Sequence, residues 1–441
     1  MTLQRTPPAA WPRPDPPPAV VRLVEALEGA GHETWCVGGG VRDAMLSHPS
    51  QDWDLATAAT PAEVQRIFRR VVPVGIEHGT VGVLDTEGRL HEVTTFRRDV
   101  RTDGRHAEVA FGVSLDDDLA RRDFTINAIA WHPLRLELRD PFDGAGDLAR
   151  GVLRAVGDPT QRMREDRLRA LRAIRFASRY GFSVDPATWA AVRESSPALT
   201  RLSLERVRQE LEKTMEQVTH PGDALERWRD AGALQVLLPS LAAAPAHALR
   251  AADALGRPGL PGRPGRRLNR FSAVFAELGS PEAERAARHL RMSNADVSWI
   301  GAMARGWKDH GTSLGADLCQ EGATDAGLRR LAAAMGRTRV LPFLRVCAGL
   351  WGAIRRLGEG GADPAAVRRT YRRVAAVAWR DPIELADLAV DGEDLQAAGV
   401  PAGPAIGHVL RGLLAVVLED PTRNTREHLL AAVPGVRGAA G

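Results

Sequence analysis

The chain of 441 residues contains only three cysteines and no long apolar run. Cys36, Cys319 and Cys347 are far apart, odd in number and without the spacing of a metal site. This usage excludes a disulfide-rich scaffold and predicts a reduced, cytoplasmic setting. No apolar stretch is long enough to cross a membrane, so no membrane partner is predicted. The N-terminus also lacks the charged-then-apolar pattern of a secretory signal.

Lysine is nearly missing as well, because Lys213 and Lys308 are the only two lysines among 59 basic residues. Since Ala, Gly and Pro are abundant in the same chain, we attribute this to a GC-rich coding bias and give it no functional weight. The formal net charge of +4 permits a polyanionic partner without requiring one. At roughly 150 residues per domain, the length predicts two to four domains.

The strongest local signal is the segment 36–43, CVGGGVRD, with Asp52, Trp53 and Asp54 shortly after it. It predicts a short apolar strand, a glycine turn that starts a helix, and a second strand over 53–56 beside two carboxylates. Because side chains alternate along a strand, Asp52 and Asp54 would share one side and Trp53 the other. Backbone N–H groups at a helix start suit phosphate, and neighbouring carboxylates suit Mg²⁺. Each motif alone is common in ordinary turns and solvated edges, but together they indicate phosphate chemistry with a metal.

Helices and strands mix up to about residue 150. A capping box from Thr60 to Glu63, with proline at the first helical position, predicts a helix over 61–70. Strands are predicted at 80–85 and 90–96, a polar loop at 97–110 and a helix over 115–130. Beyond residue 150 the strand signals nearly vanish. One helix is predicted from Asp158 to Tyr180, with helices to the chain's end and a Gly/Pro/Arg-rich border at 256–267.

A second group of chemically useful residues is the segment 121–128, RRDFTINA. On the predicted helix, Asp123 and Asn127 would share a face. Arg122 suits bidentate contact with triphosphate oxygens, and Asp123 or Asn127 suits a ribose hydroxyl. The alternative is an exposed cluster of ion pairs, which is the preferred interpretation for Arg121.

The third group is the segment 165–176, EDRLRALRAIRF, where charged residues recur every third position beside an apolar stripe. Such a face is usually solvated, with ion pairs worth little. Cytosine and adenine, however, each present an amino donor beside a ring-nitrogen acceptor, whereas guanine and uracil present the reverse. An adjacent carboxylate and guanidinium would accept from the amino group and donate to the ring nitrogen of cytosine or adenine. Guanine and uracil would leave these polar groups unpaired. Asp166 and Arg169 are the best such pair, and Arg175 would lie furthest from them because the row winds round the helix.

These segments carry a resemblance to a known family. Residues 38–43 with 52–54 resemble the first motif of class II tRNA nucleotidyltransferases and bacterial poly(A) polymerases, members of the DNA polymerase beta superfamily. Residues 121–128 resemble that family's ribose-binding motif, 165–176 its base-selecting motif, and 204–211 the helix-turn support motif that follows. Segments 399–407, 418–421 and 424–427 are similar to the tail of bacterial CCA-adding enzymes. The resemblance covers residues 35–211 best.

The resemblance implies a role for each motif residue. Asp52 and Asp54 would be catalytic and would hold Mg²⁺. The incoming nucleotide would be contacted by Gly39, Arg42, Arg122, Asp166, Arg169, Arg172 and Arg175, of which Asp166 and Arg169 read the base. Glu92 is either a third carboxylate or a solvated glutamate at a strand edge. The position after Gly39, alanine in many members, is Gly40 here, which predicts a looser turn.

The implied fold class is α+β, with a small mixed-sheet nucleotidyltransferase head followed by an all-helical neck, body and tail. The predicted divisions are a disordered Pro-rich tail (1–18), the catalytic head (19–150), a base-recognising neck (151–217), a body (218–375) and a tRNA-binding tail (376–441). The implied activity is template-independent addition of CCA to tRNA 3′ ends from CTP and ATP, with release of pyrophosphate.

Alternatives to a complete CCA-adding activity stay open at this point. A poly(A) polymerase, or an enzyme that adds only CC or only A, shares the same motifs. The polar loop keeps Asp103, Gly104 and Arg105, which favours the complete activity. From another class, a non-catalytic RNA-binding protein is disfavoured because both aspartates are present. The sequence predicts no particular protein partner.

Overall fold

The computed structural model describes residues 12–50, 52–102, 107–255, 266–319 and 322–438. The chain divides into two compact units, Met1–Glu210 with Asp230–Leu237, and Leu211–Arg229 with Leu238–Gly441. The predicted tail at 1–18, the border at 256–267 and the 103–105 segment fall largely or wholly outside the described residues. The five-part division of the chain therefore stays a prediction.

The strands, in chain order, are β1 (Thr34–Val37), β2 (Asp54–Thr57), β3 (Val71–Gly75), β4 (Thr80–Leu84), β5 (Leu90–Thr95), β6 (Arg97–Thr102), β7 (Ala107–Phe111), β8 (Ala130–His132), β9 (Glu137–Arg139), β10 (Val152–Leu153) and β11 (Ser183–Val184). All of them belong to the first unit.

The α-helices up to the end of the first unit's long segment are α1 (Pro18–Gly29), α2 (Gly39–Met45), α3 (Pro61–Ile67), α4 (Leu115–Ala120), α5 (Gly144–Arg150), α6 (Pro159–Glu165), α7 (Leu168–Tyr180), α8 (Pro186–Ser195) and α9 (Leu204–Gln217). The division between the two units falls within α9.

The later α-helices are α10 (Pro221–Asp230), α11 (Ala233–Leu237), α12 (Pro239–Ala242), α13 (Ala246–Arg250), α14 (Arg266–Phe275), α15 (Ser280–His289), α16 (Asn294–Gly306), α17 (Thr312–Cys319), α18 (Asp325–Met335), α19 (Arg337–Arg356), α20 (Pro364–Arg380), α21 (Gly392–Ala397), α22 (Pro404–Glu419) and α23 (Arg426–Gly438). None of the described helices is both long enough and apolar enough to cross a membrane.

The sheet of the first unit places the glycine turn beside the carboxylates. Seven strands form one mixed sheet in the order β3-β4-β5-β2-β1-β8-β9. Strand β2 lies at its centre, antiparallel to β1 and parallel to β5. Between β1 and β2, Val37 pairs with Asp54. Between β2 and β5, the pairing begins one residue later, with Leu55 opposite Val93. The end of β1, which leads into Gly38, therefore meets the start of β2.

The central strands form because their residues are apolar and covered. All four residues of β1 are buried, and so are the last three residues of β2, as expected for strands packed on both faces. Helix α1 buries Val20, Leu23, Val24 and Leu27 along one stripe, as its periodicity predicts. The predicted strand over 53–56 begins one residue later, at Asp54, so Asp52 and Trp53 precede it.

The predicted helix over 115–130 is wrong beyond Ala120. A short 3₁₀ turn at Thr125–Asn127 and strand β8 replace its second half. The backbone there pairs with the segment before α6: Thr125 N donates to the Arg154 carbonyl at 2.9 Å and Val156 N to the Asp123 carbonyl at 3.2 Å. The Asp123 side chain also accepts from the following backbone N–H at 2.9 Å, which competes with helical hydrogen bonding.

The predicted loop over 97–110 is instead a hairpin. Strands β6 and β7 pair antiparallel, with Arg97 opposite Phe111. The two arms satisfy each other's backbone groups, so the hairpin does not need the apolar alternation by which a sheet strand is recognised in sequence.

The single helix predicted from Asp158 to Tyr180 is interrupted. Helix α6 ends at Glu165, and Asp166 has extended backbone angles, φ −146° and ψ 106°. Its Oδ1 accepts from Leu168 N at 3.0 Å at the start of α7, which is how a short polar side chain caps a new helix. The predicted stop at Gly181, with φ +69°, is confirmed.

The described part of the second unit contains helices and no strand. Its larger apolar core includes Trp307, Phe343, Leu350, Trp351 and Val374. A separate small core joins α21, α22 and α23 through Leu395, Val409, Leu413, Val417 and Leu429. The prediction that strands nearly vanish beyond about residue 150 is confirmed for the described segments, where β10 and β11 are two-residue strands and the other elements are helices.

Candidate nucleotidyltransferase site

The glycine turn after β1 brings a guanidinium and a carboxylate together. Gly38 has φ +71°, a conformation that favours glycine, and α2 begins at the next residue. A Cβ at Gly38 would lie 3.1 Å from Arg122 Nη1 and 3.6 Å from Asp54 Oδ2. Three motifs that are distant in sequence therefore converge on this turn.

Gly40 has a different reason to be glycine. A Cβ there would lie 2.9 Å from the Asp52 carbonyl oxygen and 2.9 Å from Trp53 Cδ2. The expectation that Gly40 loosens the turn is wrong, because Gly40 is buried within α2 and allows the Asp52 backbone and the Trp53 ring to approach closely. Trp53 is only 2% exposed, so this contact fixes the approach to β2.

The carboxylates form a cluster of uncompensated negative charge at the start of β2. Burial and repulsion by Asp52 and Glu92 raise the pKa of Asp54 to about 6, although Arg122 and Arg42 act in the opposite direction. Asp52 and Glu92 are exposed, whereas Asp54 is half-buried. Glu92 thus lies close enough to Asp54 to affect its ionisation, as its place on the neighbouring strand suggested.

The donor set at this cluster fits a hard divalent cation. Among the described residues, no group of three or more His, Cys, Asp or Glu side chains could hold a metal by itself. Asp52 and Asp54 nonetheless supply carboxylate oxygens that repel each other, as the raised pKa of Asp54 shows. Two carboxylates, with the remaining ligands from water and phosphate, are a usual arrangement for Mg²⁺.

Arg122 is held at the turn by a buried carboxylate. Its Nη2 donates to Asp118 Oδ2 at 3.0 Å, and Arg121 Nε donates to the other oxygen of Asp118 at 2.9 Å. Burial would raise the pKa of Asp118, but Arg122 and Arg121 lower it, so this fully buried carboxylate stays charged. Arg121 therefore belongs to an ion-pair cluster, as preferred from the sequence, although that cluster is partly buried.

Asp123 and Asn127 meet although they do not share a helix. Asn127 Nδ2 donates to Asp123 Oδ1 at 2.9 Å, and Arg172 Nη2 pairs with Asp123 Oδ2 at 2.7 Å. Burial would raise the pKa of Asp123, but Arg172 and Asn127 are among the groups that lower it to about 2. On its other side, Asn127 Oδ1 accepts from Arg42 Nη1. One hydrogen-bonded chain therefore joins α2, the 3₁₀ turn and α7.

Asp166 and Arg169 lie within one turn of each other at the start of α7, where the Arg169 backbone N–H donates to the Asp166 carbonyl at 3.0 Å, but their side chains have separate partners. Asp166 Oδ2 accepts from Arg206 Nη2 at 2.8 Å. Arg169 Nη1 donates to Glu165 Oε2 at 2.7 Å, and its Nη2 donates to the Arg121 carbonyl at 3.0 Å. The two side chains are thus held from different sides, Asp166 from α9 and Arg169 from the end of α6 and the segment after α4, and their joint contact with a base stays a prediction.

Comparison with known proteins agrees with this arrangement. Residues 34–154 match the model of the poly A polymerase head domain, and residues 181–244 match that of the probable RNA and SrmB-binding site of polymerase A. The CCA-adding enzyme of Limosilactobacillus fermentum is 35% identical over 436 residues, which cover 93% of this chain and 94% of the relative. The chain belongs to the CCA-adding enzyme family.

Solved structures of CCA-adding enzymes share the whole fold. The crystal structure of the Bacillus stearothermophilus CCA-adding enzyme in complex with CTP is 31% identical, with a TM-score of 0.74 over 96% of this chain and 98% of that one. A Thermotoga maritima CCA-adding enzyme complexed with tRNA is 20% identical with a TM-score of 0.65, which shows the fold alone. The predicted α+β class, a mixed-sheet head followed by helices, is confirmed.

Two of the arginines that the resemblance assigns to the nucleotide face the interior of this chain. Arg42 is 4% exposed, and its guanidinium lies 5.1 Å from the Phe176 ring and 5.0 Å from the Tyr180 ring. Arg175 is 3% exposed and donates from Nε to Glu210 Oε1 at 2.5 Å. These two side chains hold helices together, whereas Arg122 lies at the turn itself.

Several residues at this site were not singled out from the sequence. Asp118 anchors Arg122, Arg206 anchors Asp166, and Tyr180 donates to Asp43 at 2.8 Å. The spacing of Asp118 and Arg122, four residues apart near a helix, is a signal that could have been used. No sequence spacing links Arg206 to Asp166, since 40 residues separate them.

Proposed function

We propose that this chain adds C, C and A to tRNA 3′ ends, with CTP and ATP as donors and no nucleic-acid template. The observation that carries the proposal is the convergence of Asp54 and Arg122 on the Gly38 turn. It supplies a carboxylate for metal binding beside a guanidinium for phosphate, within a chain of the CCA-adding family. The tRNA 3′ oxygen attacks the α-phosphorus of the nucleotide, the bond to the β-phosphate oxygen breaks, and pyrophosphate leaves.

Asp52 and Asp54 would hold Mg²⁺ in this proposal. When bound, the ion lowers the pKa of the attacking hydroxyl and neutralises charge on the triphosphate. The raised pKa of Asp54 supports this assignment, because burial and the charges of Asp52 and Glu92 disfavour its ionised form, which a bound cation would stabilise. Glu92 adds to the negative field but is proposed only as a neighbour of the site.

Arg122 is proposed to bind the triphosphate, with Gly39 on the adjacent backbone. The Arg122 Nε is buried and has no hydrogen-bond partner among the described residues, although Nη2 is bound by Asp118. Asp118 fixes the side chain through Nη2, and Nη1 makes only a long contact of 3.4 Å with the Asn127 carbonyl, so a triphosphate can pair with Nη1 without a costly reordering. Arg42 is proposed to act from behind the turn by lowering the pKa of Asp54.

Asp166 and Arg169 are proposed to read the base, with Arg172 and Arg175 in support. A carboxylate has about four lone-pair sites and a guanidinium has five N–H donors, so both retain capacity beyond the contacts described. Asp166 would accept from the amino group of C or A, and Arg169 would donate to the ring nitrogen. Arg172 would act through Asp123, and Arg175 through Glu210, to hold the helix that carries them.

The test is incubation with labelled tRNA lacking its CCA end. CTP alone should add two nucleotides, ATP alone should add little, and both together should restore CCA on a sequencing gel. Long A tails on generic RNA would instead indicate a poly(A) polymerase, and a stop after CC would indicate a partial activity. Absence of extended tRNA in every mixture, with intact tRNA binding, would leave a non-catalytic RNA-binding protein.

The place of action is proposed to be the cytoplasm. The three cysteines are free, and burial raises the pKa of Cys36 to about 12, so that thiol is unreactive. Non-reducing electrophoresis of protein taken directly from cells should show no cysteine cross-links.

A further inference from the structure

The positive charge of this chain is concentrated in one short segment. Residues 337–380, which cover α19 and α20, contain ten arginines and two acidic residues. The rest of the chain has 49 basic residues against 53 acidic ones and would be net negative without this segment. Such a local excess of one sign is the electrostatic footprint of a polyanion-binding surface.

Helix α20 has a uniformly basic solvent face. Its 17 residues include five arginines and no aspartate or glutamate. Ala366, Thr370, Val374, Val377 and Ala378 are buried on the opposite side. We define the α20 basic face by its exposed arginines and one exposed aromatic residue, namely Arg368, Arg369, Arg372, Trp379 and Arg380.

The arginines of this face are available for a ligand. Within the part of the chain that the structure describes, Arg368, Arg369, Arg372 and Arg380 have no hydrogen bond or ion pair. The fifth arginine of the helix, Arg373, pairs with Asp325 at 2.6 Å and is left out of the face for that reason.

Trp379 adds an aromatic surface to the same face. Its side chain is 64% exposed, whereas Trp307 and Trp351 in the core of this unit are almost fully buried. At a rise of about 1.5 Å per residue, Trp379 lies roughly 16 Å along the helix from Arg368. Arginines followed by an exposed aromatic ring suit RNA, in which phosphates bind guanidinium groups and unpaired bases stack on rings.

We propose that the α20 basic face binds the tRNA substrate, with its arginines on backbone phosphates and Trp379 stacked on an unpaired base. This rests on the proposed function, which makes tRNA the substrate. RNA is favoured over a lipid surface because the apolar side of α20 is already covered by protein. Only Trp379 is left to enter a bilayer, and interfacial helices need a whole apolar face for that.

The test compares tRNA binding by the full-length protein and three variants. Arg368→Gln with Arg372→Gln should raise the Kd for labelled tRNA roughly tenfold at 0.15 M KCl. It should also lower the slope of log Kd against log[KCl] by about 1.5, since each lost phosphate contact removes roughly 0.7–0.9. Trp379→Ala should raise Kd roughly tenfold, whereas Trp379→Phe should keep most of the affinity.

A matched control removes two arginines from another exposed surface. Arg285 and Arg288 on α15 pair with Glu282 and Glu284, so Arg285→Gln with Arg288→Gln makes the same charge change away from α20. This control should leave Kd within about twofold and the salt slope unchanged. Thermal melting of each variant confirms that the fold is intact.

The outcomes separate this inference from the proposed function. If the wild type adds nucleotides but the α20 variants keep its Kd and salt slope, the inference is wrong and the function stands. If tRNA binding depends on the α20 face but no nucleotide is added, the function is wrong and the inference stands. Loss of binding to anionic vesicles with unchanged tRNA binding would assign the face to lipid and overturn the inference.

Discussion

Arg206 holds the carboxylate of Asp166 from a helix 40 residues further along the chain, with 2.8 Å between Nη2 and Oδ2. The same carboxylate caps the first turn of α7 through its other oxygen. Asp166 is therefore fixed at both oxygens while it stands at the break between α6 and α7. Arg206 positions the residue that we propose to read the base and does not itself need to touch the nucleotide.

Replacing Arg206 by glutamine should weaken base selection more than catalysis. With one anchor lost, Asp166 can rotate, and the preference for CTP over UTP in kcat/KM should fall roughly tenfold. Arg206→Lys should restore part of that preference because it keeps the charge. Single-turnover incorporation of C and U into tRNA lacking CCA measures this ratio.

Arg201→Gln is the matched control for Arg206→Gln. Arg201 is exposed just before α9 and has no hydrogen bond or ion pair among the described residues. Its CTP-to-UTP ratio should equal that of the wild type. An unchanged ratio in Arg206→Gln would mean that Asp166 does not depend on this contact for base selection.

The raised pKa of Asp54 predicts how activity and stability depend on pH. Below about pH 6 the carboxylate is protonated and binds metal poorly, so activity at limiting Mg²⁺ should fall up to tenfold per pH unit. The pKa of Asp54 is higher in the folded protein than in the unfolded chain, so protonated Asp54 contributes its full stabilisation to the folded state at low pH. This contribution to the free energy of unfolding is lost as the pH rises from about 4 through 6.

Asp54→Asn separates the two effects. Without metal, this variant should melt a few degrees above the wild type at pH 7.5 and by a clearly smaller margin at pH 4.5, because asparagine mimics the protonated acid and most of the penalty of the ionisable one arises as the pH rises from about 4 through 6. It should add no nucleotide at either pH. A wild type that is as stable as Asp54→Asn at pH 7.5 would show that the pKa of Asp54 is not raised.

The sequence allowed the chemistry to be predicted better than the geometry that delivers it. The strand that carries Asp54, the cap at Thr60 and the helix stop at Gly181 were predictable because each depends on neighbouring residues. The break at Asp166 could not be predicted, because the sequence pattern around it is helical. Nothing in that pattern shows that the Asp166 side chain accepts from Leu168 N and from Arg206. Long-range pairing likewise replaced the second half of the helix predicted over 115–130, because the backbone of residues 123–125 bonds to residues 154–156.

Arg121 and Arg122 offer a direct test of the triphosphate assignment. Both donate to Asp118, but only Arg122 also lies against the Gly38 turn. Arg122→Gln should raise the KM for both CTP and ATP at least tenfold, since a guanidinium contact with phosphate is lost. Arg121→Gln should change those KM values less than threefold. Equal effects of the two substitutions would place the triphosphate elsewhere.

Gly40 tests the close approach between α2 and the start of β2. Alanine at this position would bring a Cβ to 2.9 Å from the Asp52 carbonyl oxygen, which is backbone and cannot swing away as a flexible side chain would. Gly40→Ala should therefore lower the free energy of unfolding by roughly 1–3 kcal/mol, as overpacking does, and reduce kcat by displacing Asp52. Denaturant unfolding of Gly40→Ala and of a control variant measures the difference.

Gly39→Ala is the matched control for stability, because its Cβ would meet only Arg42 Nη2, at 3.5 Å. If Gly40→Ala unfolds at the same denaturant concentration as Gly39→Ala, the packing of Asp52 and Trp53 against α2 is looser than described, and it does not fix the carboxylates that we propose to bind metal.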